Sequence, residues 1–279
     1  MHSKKGRYVA CSILSLTLII VSVFSSFART YKRYSTCESI TRELYETVIE
    51  TLRIHSLEPN TGDMYDTGIS CTYDDFLQMK EALEHMFLGS ERICYWYNNS
   101  QRNDIKIISY EEDKDAGYYY QVVFSGGYHP ANTIYVGFFP GTDPVAAMQE
   151  HDETMSVITD AIQRAPDGEY EFYSYCADFL KNRCRYDWNY SRNSHFAHAA
   201  VCNGSAVCEG IASAYFMMCW LKGRNCCLIS NDEHSYNIVR MNGALYITDV
   251  TYYICGYDSA FYPANDELVQ YIEEPFFGD

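Results

Sequence analysis

Cys208 is the side chain in this sequence that is best placed for nucleophilic chemistry. It follows the polar, glycine-bearing stretch 203–205 and opens an apolar run that continues to Gly223. Apolar residues recur at helical spacing on both sides of that run, which predicts a helix that is buried nearly all round. Ser205 is predicted to cap its first turn. A cysteine there meets free backbone amides and the positive end of the helix dipole, which stabilise a thiolate.

A base for that nucleophile follows one segment later. A strand pattern runs from His234 to Met241, and Asn242-Gly243 is a strong signal for a type I′ hairpin turn. A second strand begins at Ala244. If Met241 faces Ala244, His234 and Asp249 lie on one face of the ribbon as diagonal neighbours, about 7–8 Å apart at the backbone. Because a slip of one residue would separate them, the turn by itself predicts a His–Asp pair.

Four short segments, in this order, resemble the transglutaminase-like superfamily of papain-related thiol acyltransferases and proteases. The resemblance covers roughly residues 167–253, and the segments are Arg185-Tyr186-Asp187, Gly204-x-Ala206-Val207-Cys208-x-Gly210, His234-x-Tyr236-Asn237 and Asp249-Val250-Thr251-Tyr252. It implies that Cys208 is the nucleophile, His234 the base and Asp249 the residue that orients the base. The chain is identified as a secreted member of the bacterial type.

The same resemblance implies which residues bind the substrate. Tyr236 and Tyr252 stand where bacterial relatives usually carry tryptophan, and they are expected, with Tyr186, to contact the substrate. No side-chain donor for an oxyanion hole can be assigned, so the backbone amide of Cys208 is the one candidate.

The expected fold class is α+β. A papain/transglutaminase-like core is expected, in which the buried helix that carries Cys208 packs on an antiparallel sheet, preceded by a small α+β N-terminal domain. The expected activity is exported, cysteine-dependent acyl transfer on a protein or peptide through a thioester, ending in transamidation or hydrolysis. The alternative is a retired copy of the fold that serves as a binding or scaffold module. Neither reading requires a cofactor.

The chain is divided into three parts. Residues 1–28 carry a basic start, an apolar run at residues 8–24 and a Ser26-Phe27-Ala28 cleavage signal, which predicts a secretory signal or an uncleaved membrane anchor. Residues 29–140 are predicted to form the N-terminal domain, and residues 141–279 the transglutaminase-like domain. The predicted elements before residue 141 are helices at 37–54 and 75–87 and strands at 92–97, 105–110, 118–124 and 133–139, which we expect to form a small antiparallel sheet. Helices are also predicted from Pro144 and from Tyr170 to Arg183.

Charge and cysteine content indicate the compartment and the partners. The net charge is −16, and removal of the three basic residues in positions 1–28 would make it about −19. Such a field repels nucleic acid and anionic lipid, and it suits solubility and cationic or amine-bearing partners. The protein or peptide substrate is what the resemblance implies, and the N-terminal signal predicts that the protein is secreted or lies at the extracellular face of the cell membrane. Twelve cysteines in an exported chain also predict disulfides, with no connectivity that can be deduced.

A zinc site is the main competing constellation. His195, His198 and Cys202 supply three ligand types at close spacing. No fourth ligand follows at finger-like spacing, and the segment matches the loop that precedes the nucleophile in the resembled family. We therefore expect no metal. Sequence signatures of serine hydrolases, phosphate loops and dinucleotide-binding folds are absent.

Overall fold

A computed structural model describes residues 38–71, 93–99, 104–107, 120–126, 132–138, 141–230 and 234–264. The fold is mixed helix and sheet, in the α+β class. The helices are α1 (Glu38–His55), α2 (Pro144–Gln163), α3 (Glu169–Arg183), α4 (Cys208–Lys222) and α5 (Val250–Ile254). The segment predicted as a helix at 75–87 and the predicted signal at 1–28 lie outside the described residues.

The strands form one five-stranded sheet, one four-stranded sheet and a short pair. Those of the first sheet are β1 (Met64–Cys71), β2 (Ile93–Asn99), β3 (Asp104–Ile107), β4 (Tyr120–Gly126) and β5 (Asn132–Phe138). The rest are β6 (Arg185–Tyr186), β7 (Ser205–Ala206), β8 (Cys226–Ser230), β9 (Ser235–Met241), β10 (Ala244–Thr248) and β11 (Phe261–Pro263).

The first sheet differs from the sequence prediction in two ways. Its order is β1-β5-β4-β2-β3, and β2 pairs with β4 in parallel, so the expectation of an antiparallel sheet is wrong. A strand that was not predicted, β1, forms its edge against β5. The register of this pair is irregular between Asp66 and Ser70, around Gly68 with φ 71°. A bulge of this kind interrupts the alternation by which strands are recognised.

The helix α4 is the centre of the C-terminal part. Every residue from Gly210 to Trp220 is buried, as the apolar run predicts. One side packs on the antiparallel sheet β11-β10-β9-β8, and α2 and α3 cover it elsewhere. Gly223 ends the helix in the left-handed conformation, with φ 68°, which glycine adopts without strain.

The start of α4 corrects one prediction. Val207, not Ser205, is the N-cap, and no side chain caps the helix. Ser205 is drawn instead into β7, which pairs with β6 two residues before the helix begins. The free amides of the first turn therefore remain available at Cys208.

The helix α1 packs on the C-terminal part. Val48, Ile49 and Leu52 join the same buried cluster as α2, α3 and α4. The Tyr45 ring meets Trp220 edge-on at 5.6 Å, and Arg53 donates two hydrogen bonds of 2.7 Å to the Asp152 carboxylate. The division of the chain at residue 141 stays a prediction. None of the described helices has the length and apolar character needed to cross a bilayer.

Candidate active site

Cys208 occupies the first position of α4, with its thiol free and half-buried. The sheet reaches this end of the helix through β9, since Asn237 is buried and its side-chain amide donates to the Ala212 carbonyl at 3.1 Å. Ala212 lies one helical turn after Cys208, on the same side of the helix. That hydrogen bond holds the beginning of β9 against the nucleophile.

The hairpin that follows brings His234 and Asp249 together. Asn242 and Gly243 have φ values of 49° and 79°, as a type I′ turn requires, and Met241 pairs with Ala244. The predicted register is therefore confirmed. His234 Nε2 lies 2.6 Å from Asp249 Oδ2.

Asp249 is fixed in its own right. Its second carboxylate oxygen accepts the backbone N–H of Tyr252 at 3.0 Å, which caps α5. Its backbone N–H donates to the Ala260 carbonyl at 2.8 Å, and its side chain is only 5% exposed. A buried carboxylate held at both ends in this way orients the imidazole that it contacts.

The Cys208 thiol and the His234 imidazole also contact each other. Burial alone would raise the pKa of Cys208, but a hydrogen bond with His234 and the backbone N–H groups of Ser235 and Glu209 outweigh it and lower that pKa. The hydrogen bond to Asp249, followed by the one to Cys208, raises the pKa of His234 to about 9. Both shifts act in the direction of a thiolate–imidazolium pair.

Aromatic rings enclose the imidazole. Tyr252 stacks on His234 at 5.2 Å with a 14° angle between the rings, and Tyr236 lies on it at 6.0 Å. Tyr257 extends the stack from Tyr252 at 5.1 Å. Tyr252 and Tyr257 are 45% and 57% exposed, so this wall of the site faces solvent.

Tyr186 lies near the nucleophile, next to a compact loop. It interacts electrostatically with Cys208, and the rings of Trp188 and Tyr190 meet it edge-on at 4.6 and 6.1 Å. The sequence prediction did not include Trp188 or Tyr190. The signal was the spacing Asp187-x-Asn189-x-Ser191, in which an aspartate can accept backbone N–H groups two and four residues onward.

A second loop packs on the flank of α4. The Val207 N–H donates to the Ser194 carbonyl at 3.0 Å, and His195 Nδ1 lies 3.0 Å from Glu209 Oε2. Gly210 makes this approach possible, because a Cβ there would lie 2.6 Å from the Ser194 oxygen. Sequence reasoning missed the His195–Glu209 pair, which depends on the folding of the loop.

The three residues of the competing zinc reading have separate partners. His195 contacts Glu209, His198 Nε2 lies 3.3 Å from Glu153, and the Cys202 thiol bonds to Thr154. Over the part of the chain that the structure describes, no three His, Cys, Asp or Glu side chains are grouped as a metal ion would require.

The cysteines of the C-terminal part are free thiols. They are Cys176, Cys184, Cys202, Cys208, Cys219, Cys226, Cys227 and Cys255. The disulfides expected of an exported chain are therefore not formed at these eight residues. For Cys208, a free thiol is what a nucleophile requires.

Comparison with known proteins adds little. No known family profile matches the chain, and no curated protein is similar to it. Among solved structures, one described as a crystal structure of a TGase is 13% identical, and the alignment covers 68% of this chain and 61% of that one. The chain thus spans less than two thirds of that structure, and the TM-score is 0.33.

Proposed function

We propose that this protein is a cysteine-dependent acyltransferase or hydrolase that acts on protein or peptide substrates. The observation that carries the proposal is the group formed by Cys208, His234 and Asp249: a thiol of lowered pKa at a helix start, an imidazole in hydrogen-bond reach, and a buried carboxylate 2.6 Å behind it. Nucleophile, base and orienting group in this order are the requirements of covalent acyl transfer.

The proposed reaction has two halves. The Cys208 thiolate attacks the carbonyl carbon of an amide, the carbon–nitrogen bond breaks, and the His234 imidazolium gives its proton to the departing amine. The thioester then reacts with water or with a second amine, which loses a proton to His234, and the thiolate is released. Asp249 stabilises the imidazolium throughout by its hydrogen bond to Nε2.

The proposal includes the fold and the setting of the enzyme. The helix α4 packed on an antiparallel sheet supports a papain/transglutaminase-like core for residues 141–279. Residues 1–28 are proposed to direct export or to tether the chain through residues 8–24, and residues 29–140 to form an accessory domain. A net charge of −16 favours protein partners over nucleic acid, with the enzyme secreted or held at the outer face of the membrane.

The substrate is proposed to lie against the aromatic rings around the nucleophile. Tyr252 and Tyr236 stack on His234, and Tyr186 interacts with Cys208. Tyrosine rings that are exposed or half-buried offer flat apolar contact together with a hydroxyl, which suits an extended polypeptide.

The chain provides its own control for a test of the nucleophile. Cys255 is the exposed thiol of the same region, and burial followed by the charge of Asp249 raises its pKa. Treatment with iodoacetamide at pH 7 and peptide mass spectrometry should show Cys208 alkylated at least about tenfold faster than Cys255. His234→Ala should remove that advantage and leave Cys255 unchanged. Equal rates at the two thiols in the wild-type protein would contradict the proposal.

A retired scaffold with the same fold is the second candidate, and alkylation separates it from the enzyme. A scaffold needs no activated thiol, so Cys208 would then react like Cys255. Within the enzymatic reading, a glutamine peptide supplied with a fluorescent amine distinguishes the two outcomes. Incorporation of the amine identifies a transamidase, whereas ammonia release or peptide cleavage alone identifies a hydrolase.

A further inference from the structure

Tyr186 lies on β6, which pairs with β7, the strand that leads into the nucleophile helix. In the parallel pair β6–β7, Tyr186 lies opposite Ala206, and the next backbone N–H, from Asp187, donates to the Ala206 carbonyl at 3.0 Å. Since β7 ends two residues before Cys208, this pairing places Tyr186 at the entrance of α4. Its electrostatic interaction with Cys208 agrees with that position.

A buried carboxylate builds the loop that follows Tyr186. Asp187 is buried, and its two carboxylate oxygens accept the backbone N–H groups of Asn189 at 3.0 Å and of Ser191 at 2.9 Å. A hydrogen bond with the Ser191 side chain, followed by these two backbone N–H groups, holds the pKa of Asp187 down to about 2. The carboxylate therefore stays charged, and the loop stays closed, over the whole physiological pH range.

The loop holds Tyr190 in an uncommon backbone conformation. Its φ is 51°, in the left-handed region that an aromatic residue rarely adopts. Its hydroxyl bonds to the hydroxyl of Tyr186, and Trp188 supports the Tyr186 ring from the side at 4.6 Å. Backbone strain of this kind persists where the surrounding structure enforces it and is frequent at functional sites.

We propose that the Tyr186 hydroxyl is the side-chain donor of the oxyanion hole, aligned by the hydroxyl of Tyr190. This inference rests on the proposed function. When Tyr190 donates to the Tyr186 oxygen, the Tyr186 proton is free to point toward the cleft above Cys208. The carbonyl oxygen of the substrate then has two hydrogen-bond donors, the Tyr186 hydroxyl and the backbone N–H of Cys208.

In this proposal Tyr186 donates a hydrogen bond and transfers no proton. As the Cys208 sulfur bonds to the carbonyl carbon, the electron pair of the C=O double bond moves to oxygen, and that oxygen accepts from Tyr186 and from the Cys208 amide. On collapse the double bond forms again, and the amine leaves with the proton of His234. Tyr186 keeps its proton, because burial, the bond with Tyr190 and the nearby Cys208 raise its pKa.

A small aldehyde tests this donor without knowledge of the natural substrate. Propionaldehyde adds reversibly to a cysteine thiol, and the oxygen of the hemithioacetal occupies the place of the oxyanion. Its affinity is read from the concentration that halves the iodoacetamide rate at Cys208. Tyr186→Phe should weaken it about 10- to 100-fold, whereas alkylation without aldehyde should stay within about twofold, because alkylation forms no oxyanion.

Two further variants complete the experiment. Tyr190→Phe keeps the Tyr186 hydroxyl and removes its partner, so an intermediate loss is expected. Tyr170→Phe, at a tyrosine that is 55% exposed and outside the site, should change neither measurement. If Tyr186→Phe fails to fold, Tyr190→Phe decides: an aldehyde affinity equal to that of the wild type overturns the inference.

The outcomes separate this inference from the proposed function. Rapid alkylation of Cys208 with equal aldehyde affinity in wild type and Tyr186→Phe overturns the role of Tyr186 and leaves the acyl-transfer proposal standing. A wild-type Cys208 that reacts slowly with both reagents overturns both. With a working substrate, Tyr186→Phe should lower kcat with little change in KM.

Discussion

At the scale of single residues, the chemistry of Cys208 depends on how firmly Asp249 holds His234. The hydrogen bond to Asp249 is the main reason that the pKa of His234 is raised to about 9. A charged imidazole next to the sulfur is in turn what lowers the pKa of the thiol against the effect of burial. The three residues therefore act as one unit, and a change in the Asp249 carboxylate should alter the pKa and the reactivity of the Cys208 thiol.

We predict that Asp249→Asn slows the alkylation of Cys208. The amide keeps the size of the side chain but removes its charge, so the pKa of His234 should fall toward its ordinary value of 6.5. At pH 7.5 the imidazole would then be mostly neutral, and the iodoacetamide rate should drop about tenfold or more. Asp258→Asn, a nearby substitution on the surface, is the matched control.

The same shift predicts how stability varies with pH. Because the folded pKa of His234 is raised, its stabilising effect is complete below about pH 6.5 and is lost as the pH rises through about 9. Urea unfolding of the wild type and of Asp249→Asn should therefore converge over that interval. A difference in unfolding free energy that grows with pH would contradict the assignment.

At the scale of elements, the position of α4 depends on the close contact between its first turn and the loop at residues 192–196. Gly210 is the contact point, since a Cβ there would lie 2.6 Å from the Ser194 carbonyl oxygen and 2.8 Å from that of Phe196. Both atoms belong to backbone that other contacts hold in place. The Val207 N–H, for example, donates to the same Ser194 oxygen.

We predict that Gly210→Ala lowers the free energy of unfolding by about 1–3 kcal/mol, because the loop must move away from the helix. The start of α4 should shift with it, and alkylation of Cys208 should slow. Gly168→Ala is the matched control, since its Cβ would meet only the movable side chain of Glu171; we expect a change within about 1 kcal/mol. Urea unfolding followed by circular dichroism measures both. Equal losses of unfolding free energy in the two variants would contradict the prediction that the close contact at Gly210 fixes the position of α4.

At the scale of the whole molecule, α1 and the C-terminal helices share one buried cluster. Leu52 is 1% exposed within it, and Tyr45 contacts both Trp220 and the buried His151. A packed interface of this kind makes the folding of α1 depend on the helices around the nucleophile.

We predict that Leu52→Ala destabilises the entire protein by about 2–5 kcal/mol in a single transition. Tryptophan fluorescence, to which Trp96, Trp188 and Trp220 contribute, and circular dichroism should give the same urea midpoint. Ile54→Ala, at a side chain that is 60% exposed, should cost no more than about 0.5 kcal/mol. Two separate midpoints for Leu52→Ala would instead support an independent N-terminal domain.

The amino-acid sequence by itself predicted the elements whose determinants lie close together in the chain. The apolar run after Cys208 predicted α4, and the Asn242-Gly243 turn predicted the register that brings His234 to Asp249. Both are short-range effects: helical periodicity within 15 residues, and a turn that only certain residues can form. For the same reason Pro144 predicted the start of α2.

Only the tertiary structure decided the features that depend on distant segments. The parallel pairing of β2 with β4, the drawing of Ser205 into β7 and the packing of α1 on α4 each join parts of the chain that no local pattern relates. The surroundings of the nucleophile have the same origin. Tyr186, 22 positions before Cys208, reaches it only because β6 pairs with β7. Such contacts are selected by the burial and hydrogen bonding of the whole fold, which a single stretch of sequence does not contain.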